Sequence, residues 1–506
     1  MKKRDILLSL LSGILLIFSF PHFDLEFLAW FALIPLFLSV EGKGLRRSFS
    51  LGFLTGLISF LGILYWIIVA VHTYGSVPLI PSGLILLLLV AYLSLFIGAF
   101  TFLTRFIQIR SRLQTILFAP FLWVGLEYVR TFLLTGFPWA DLGYSQYLNL
   151  PCIQIADMTG VYGPSFVIVL VNAMLFALLR QWSKKTFPVR EVVFTALILL
   201  GVFIYGYLRM GMVARQMIQN PALKIGLVQG NIDQSVKWDK SFQRETLKTY
   251  ERLSSGVAEE KPDLIIWPET ATPFFFQDAE EYQHFILEIP KKANAFLLFG
   301  APSYKVEKGK ASYYNSAYLG SPSGELVGKY DKIHLVPFGE YVPLQSLLFF
   351  IGSLGEGIGD FKPGKEIFNF SLPQGNFGVL ICFEIIFPDL CRRFVKGGAN
   401  FLVTITNDAW FDRTSAPYQH FSIATFRAVE NRVFVARAAN TGITGFIDPR
   451  GKILREGRIF TEEAMNGTIR LSNQKTFYTL YGDVFAWICS ALSLLLFANA
   501  LIKKAS

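Results

Sequence analysis

The sequence predicts a polytopic α-helical membrane domain of about eight spans joined to a layered α/β domain. Three observations carry that expectation. The 506 residues are 53% hydrophobic and only 17% charged, with a mean hydropathy of +0.44, too apolar for an ordinary soluble protein. The apolar residues gather in runs near the roughly 20 residues that a helix needs to cross about 30 Å of hydrocarbon. Between the last two runs, residues 220–480 have ordinary charge density and alternate strand-like with helix-like segments.

The runs fall at about 6–20, 25–40, 50–71, 79–103, 115–135, 161–180, 193–210 and 484–502. The expected domains are therefore 1–215 with seven helices, 220–480 as a water-facing domain, and 484–502 as a final transmembrane helix. The first two runs are short and form either two spans or a re-entrant hairpin, which leaves the parity unchanged. The first run has the basic start and apolar middle of a signal peptide. Phe20-Pro21-His22-Phe23 follows it instead of a small-residue cleavage site, so retention as a helix is expected.

Loop charges set the orientation. One set of loops carries Lys2, Lys3, Arg4, Lys43, Arg46, Arg47, Arg105, Arg110, Arg112, Arg180, Lys184, Lys185, Arg190, Lys503 and Lys504, whereas the loops at 21–24, 72–78 and 136–160 contain no Lys or Arg. Positive charge collects on the cytoplasmic side. Both termini are thus expected in the cytoplasm, with residues 220–480 on the outer face. In the fifth span Glu127 and Arg130 sit three apart and share a helix face, where they can pair. Such a pair serves either a wet, substrate-facing cavity or the interface near the outer end of the span.

A net charge of +10 suggests nucleic acid only when it forms basic patches. Much of the excess here flanks apolar runs, so no nucleic-acid partner is expected and the lipid bilayer is. Cys152, Cys382, Cys391 and Cys489 are too few for a disulfide scaffold and contain no C-x-x-C pair. His22, His72, His284, His334 and His420 lack metal-ligand spacing. No metal and no cofactor are expected.

Within the water-facing domain, strands are expected at Lys224–Ile232, Asp263–Thr270, Ala295–Tyr304, Phe377–Phe383, Phe401–Thr406 and Arg432–Ala436. Their near-continuous apolar character marks strands buried on both faces. Segments 239–258, 278–293 and 417–431 are the helices that cover them, giving an α/β sandwich. Functional groups in such folds emerge at strand ends. Cys382 lies where an apolar strand stops, Glu269 ends Asp263-Leu-Ile-Ile-Trp-Pro, and Lys332 sits in Tyr330-Asp331-Lys332-Ile333-His334. Taken singly they read as a buried cysteine, a loop acid and a surface lysine. Together they supply a nucleophile, a base and a stabiliser of negative charge.

Three blocks sharpen this reading: Trp267-Pro268-Glu269; Gly328-Lys329-Tyr330-Asp331-Lys332 with Pro337-Phe338-Gly339-Glu340; and Ile381-Cys382-Phe383-Glu384. They closely resemble, in order, the signature blocks of the nitrilase superfamily across about 220–470. With seven helices before and one after, the chain resembles that superfamily's membrane-anchored branch, the bacterial lipoprotein N-acyltransferases. The resemblance implies a four-layer α-β-β-α domain on the periplasmic face of the inner membrane. It implies Glu269 as general base, Lys332 as stabiliser of the tetrahedral intermediate and Cys382 as nucleophile, with Trp238, Glu340 and Glu384 in support. Phe383 departs from the family's usual Tyr, so a hydroxyl contact is missing or replaced while the backbone N–H at that position remains. The implied partners are a phospholipid acyl donor and a diacylated apolipoprotein acceptor; the sequence leaves the oligomeric state open, with a monomer expected.

The implied reaction runs in two halves through a Cys382 thioester. Its rivals are a membrane-tethered amidase or lipid hydrolase, and a non-catalytic transporter or lipoprotein escort. The apolar stretch 344–354 and the glycine-rich 355–359 suggest either an arm dipping into lipid or a core helix with a loop. Phe274-Phe275-Phe276 touches either lipid or the core.

Overall fold

A computed structural model describes residues 2–111, 113–182, 184–235, 237–337, 339–341 and 361–502. The 344–359 segment singled out above lies outside them. The chain divides into two compact units. One comprises Met1–Ile68, Leu79–Met212 and Thr476–Ser506, the other Val69–Pro78 and Val213–Lys475.

The first unit is helical. Leu45–Leu64, Leu79–Ser111, Tyr162–Trp182, Val189–Gln219 and Val484–Ile502 are long and apolar enough to cross a membrane. The other three expected runs form shorter pieces. Lys3–Phe18 has 16 residues and Ala119–Phe132 has 14. The 25–40 run divides into a 3-10 turn, Glu26–Trp30, and a helix, Ile34–Val40. Pro35 sits in the first turn of that helix, where its missing N–H costs nothing. One turn further on, the same ring would clash with the backbone, so the run cannot be one continuous helix.

Close packing in this unit relies on small residues. A Cβ on Gly56 would stand 2.7 Å from Ser94 Cα, so only glycine lets helices Leu45–Leu64 and Leu79–Ser111 approach this far. Buried Asn172 accepts from Leu33 N at 2.8 Å and donates to Ala29 O at 2.9 Å, which satisfies the broken 25–40 run. Glu127 and Arg130 do not take each other as the expected partners. Arg130 forms an ion pair with Asp141, while Glu127 accepts from Trp123 Nε1 at 2.8 Å and Leu142 N at 2.7 Å. The loop after the helix folds back and supplies closer partners than the i+3 neighbour.

The second unit holds twelve strands among the described residues: β1 (Ala222–Gln229), β2 (Leu264–Ile266), β3 (Phe296–Glu307), β4 (Lys310–Gly320), β5 (Leu326–Asp331), β6 (Asn369–Leu372), β7 (Gly375–Ile381), β8 (Phe401–Thr406), β9 (Phe434–Ala439), β10 (Gly445–Ile447), β11 (Ile453–Glu456) and β12 (Glu463–Arg470). They form two six-stranded sheets, ordered β12-β1-β2-β3-β4-β5 and β11-β10-β9-β8-β7-β6. Each sheet has a parallel centre, β1-β2-β3 and β7-β8-β9, with antiparallel flanks. β12 lies antiparallel to β1, with Ala222 opposite Arg470.

Helices Lys240–Ala258 and Glu280–Ala293 cover the first sheet. Leu247, Tyr250, Val257, Ile286 and Ile289 pack with Val228, Ile265, Trp267 and Phe299. Phe276 belongs to this core, and Phe274 packs against it. Helices Pro388–Lys396 and Ala416–Asn431 lie against β7, β8 and β9. The sheets approach each other through β1 with β9 and β4 with β7, which gives the α-β-β-α layering. The Val69–Pro78 segment belongs to this unit, and its Tyr74 ring meets Trp410 edge-on at 5.9 Å.

Candidate active site

Three strand ends converge. β2 stops at Ile266, and the chain turns through Trp267-Pro268 to present Glu269. Trp267 N donates to Leu298 O at 2.8 Å, and Gly300 N donates to Pro268 O at 3.2 Å, so β3 braces the turn. A Cβ on Gly300 would meet Thr270 N at 2.6 Å and Glu269 Cα at 2.8 Å, an approach that only glycine permits. The Glu269 carboxylate accepts from Asn315 Nδ2 at 2.8 Å and from Asn407 N at 2.9 Å.

β5 ends at Asp331, and Lys332 follows, its N–H donating to Asn315 O at 2.8 Å. The buried ammonium lies 2.8 Å from Glu340 Oε2 and 3.6 Å from Glu269 Oε1. Burial alone would lower its pKa, but the carboxylates of Glu340 and Glu269 raise it above the ordinary lysine range, so it stays charged. Asn315 Nδ2 also donates to Glu340 Oε1 at 2.9 Å, tying the two acids to one neutral donor.

β7 ends at Ile381, one residue before Cys382. The cysteine has φ +52°, a left-handed conformation unusual for a non-glycine residue. A 3-10 turn, Cys382–Ile386, begins there. The residue as a whole is half-buried. Burial first, and then the Glu269 charge, push its thiol above the ordinary range, while Lys332 pulls it back. The thiol is therefore protonated at rest and within electrostatic reach of both groups.

Glu384 holds two of these pieces together. Its Oε1 accepts from Tyr330 Oη at 2.8 Å, Ile333 N at 2.7 Å and His334 N at 3.1 Å. Its Oε2 accepts from Ile381 N at 2.7 Å. One carboxylate thus binds the Lys332 loop to the Cys382 turn. Phe383 packs edge-on against Phe387 at 5.2 Å and within 6.0 Å of His334. Trp238 is half-buried, and its buried indole N–H has no hydrogen-bond partner among the described residues. Its neighbour Lys237 donates to Thr270 Oγ1 at 2.5 Å, which puts this segment beside Glu269.

Sequence reasoning missed Asn315, Asn407, Asp408, His420 and Arg437. Asn407-Asp408 follow the end of β8, the parallel neighbour of the cysteine's strand, so the strand-end rule was the signal that could have found them. Asn315 lies inside β4, where no local signal separates it from an ordinary strand residue.

This layering, with its acid, lysine and cysteine at strand ends, defines a class, the carbon–nitrogen hydrolases of the nitrilase superfamily. The sequence profile described as "Carbon-nitrogen hydrolase" matches residues 224–477, and that for the "Apolipoprotein N-acyltransferase N-terminal domain" matches residues 12–174. A protein from Geobacter metallireducens named apolipoprotein N-acyltransferase is 48% identical, covering 99% of this chain and 96% of its own. Proteins of the same name from Pasteurella multocida and Chlorobaculum tepidum are each 32% identical, covering 100% and 99% of this chain and 97% of their own. The chain belongs to the apolipoprotein N-acyltransferase family.

Proposed function

We propose that the chain is a bacterial inner-membrane acyltransferase, moving a fatty acyl group from phospholipid to the N-terminal amine of a diacylated lipoprotein through a Cys382 thioester. The observation that carries this reading is the meeting of Lys332 and Glu269 at 3.6 Å within electrostatic reach of the Cys382 thiol. In the first half-reaction Glu269 takes the thiol proton as Sγ attacks the ester carbonyl. The Lys332 ammonium stabilises the oxyanion in a partly dry site. Collapse expels the lysophospholipid oxygen, which receives the proton from Glu269. In the second half the acceptor's α-amine, with an ordinary pKa near 7.7 to 8.0, is partly neutral. It attacks the thioester, Glu269 removes its proton, and the thiol is regenerated.

Glu340 fixes Lys332, and Glu384 positions both the Lys332 loop and the nucleophile turn. The one-sided loop charges support a periplasmic catalytic domain with both termini in the cytoplasm. Membrane anchorage suits two substrates whose long chains water does not carry.

Mass spectrometry of the full chain after exposure to phospholipid alone tests the first half. Cys382 should gain one acyl mass, and Cys382→Ala should gain none. Adding a diacylated lipopeptide should then discharge the adduct onto its amine. Release of free fatty acid with no N-acylated peptide would establish a hydrolase instead, and activity surviving in Cys382→Ala would establish a non-catalytic role.

A further inference from the structure

Behind the nucleophile lies a buried polar cluster for which the proposed mechanism has no use. Asp408, His420 and Arg437 are all fully buried. Arg437 Nη2 donates to Asp408 Oδ2 at 2.7 Å and lies 3.0 Å from His420 Nδ1, while Arg437 Nε donates to Ile443 O at 3.1 Å. Asp408 Oδ1 accepts from Thr406 Oγ1 at 2.9 Å and lies 3.1 Å from His420 Nδ1. The other imidazole nitrogen, Nε2, lies 3.1 Å from the carbonyl oxygen of Cys382.

A carbonyl oxygen only accepts, so Nε2 carries a proton and donates it to the Cys382 carbonyl, while Nδ1 faces both the Arg437 guanidinium and the Asp408 carboxylate. Burial first, and then the Arg437 charge, push the His420 pKa down, in keeping with a neutral ring. The carbonyl that it grips belongs to the residue with φ +52°.

In a planar trans peptide the carbonyl of one residue and the N–H of the next point to opposite sides. Holding the Cys382 carbonyl therefore also sets the direction of the Phe383 N–H. We propose that His420 is a positioning residue for acyl transfer: it locks the 382–383 peptide plane so that the Phe383 N–H faces the oxygen on which charge develops. As Sγ bonds to the acyl carbon, the carbonyl π pair moves onto that oxygen. Lys332 and the Phe383 N–H then stabilise it until the leaving oxygen departs with the proton from Glu269. Oxyanion donors are effective because they are aimed before the reaction, and Asp408 and Arg437 hold the imidazole that does the aiming. The inference rests on the proposed thioester chemistry.

The test compares two reactions of Cys382 in the detergent-solubilised full chain. Acylation by p-nitrophenyl butyrate, read as the nitrophenolate burst, builds an oxyanion, whereas alkylation by iodoacetamide displaces iodide and builds none. His420→Ala should slow the burst on the order of 10²-fold and leave alkylation within about threefold. His420→Gln, whose amide reaches the same carbonyl, should restore the burst to within about tenfold. Equal losses in both reactions would overturn the proposal, because they would mean that the thiol itself had moved. So would an unchanged burst in His420→Ala. If His420→Ala does not fold, the Gln variant and His420→Leu, close in volume and unable to donate, carry the same comparison. The small ester reads the His420 effect whether or not phospholipid is the donor, so failure of phospholipid alone would count against the function and not against His420. A chain without any burst on Cys382 would overturn both.

Discussion

Tyr330 donates its hydroxyl to Glu384 at 2.8 Å, joining the end of β5 to the turn that starts at Cys382. The ammonium and the thiol arrive from strands of different sheets. Their separation is therefore set by this carboxylate and by the backbone N–H groups of Ile333, His334 and Ile381 that share it.

That role has a pH signature. Burial, opposed by its hydrogen bonds and by Lys332, pushes the Glu384 carboxyl up to about 7 from an ordinary 4.5. A raised folded-state pKa means that the folded state binds the proton more tightly. The contribution of this group to stability is then fully present below 4.5 and is lost as pH rises through 7. Glu384→Gln abolishes the titration. The melting-temperature difference, unsubstituted minus variant, should fall between pH 5 and 7.5 and then level off. A difference that is constant over this range would contradict the assignment.

Gly300→Ala tests the close approach of β3 to Glu269. The added methyl has no room beside Thr270 N and Glu269 Cα, so the acid must shift. Overpacking of this kind costs about 1–3 kcal/mol. A displacement of about 1 Å costs on the order of 10²-fold in rate. Cys382 adduct formation should drop accordingly, and an undiminished rate would show that the backbone yields without moving the carboxylate.

Asn315→Asp removes a neutral donor shared by Glu269 and Glu340 and sets a third carboxylate beside a single ammonium. Like charges at this range oppose one another's ionisation. The balance among thiol, base and Lys332 should fail, with adduct formation slowed at least about tenfold at pH 7 while the far-ultraviolet circular dichroism is retained. A rate within twofold of the original would show that the amide is dispensable.

In the helical unit, Asn172→Leu keeps side-chain volume but strips the partners from Leu33 N and Ala29 O. Buried backbone groups left unsatisfied cost about 1–3 kcal/mol each. The detergent-solubilised protein should melt several degrees lower with Cys382 still alkylated normally. An unaltered melting temperature would mean that the 25–40 run finds other partners.

What could be read from the sequence follows from burial. β1, β2, β3, β7, β8 and β9 form the parallel centres of the sheets and are covered on both faces, so they stand out as apolar runs. β4, reading KASYYNSAYLG, and β12, reading EAMNGTIR, are antiparallel flanks with partly exposed faces, and their pairing with β3 and β1 is not written in a local pattern. The same limit applied to the membrane runs, where apolarity reports burial but not continuity, so Pro35 divided a run that hydropathy alone joined. Glu269, Lys332 and Cys382 were visible because each follows a strand end. The partners that hold them, Asn315, Asn407 and His420, come from remote elements and owe their roles to register. Arg130 taught the same lesson, since its partner Asp141 comes from a returning loop and not from its own helix.

The antiparallel ladder between β1 and β12, with Ala222 facing Arg470, brings the first and last strands of the sandwich side by side. A module whose boundaries adjoin can be spliced into a host polypeptide at a single point without stretching either. The same adjacency makes this sandwich a candidate for circular permutation, with a short tether closing the old boundaries and new ends opened at an exposed turn.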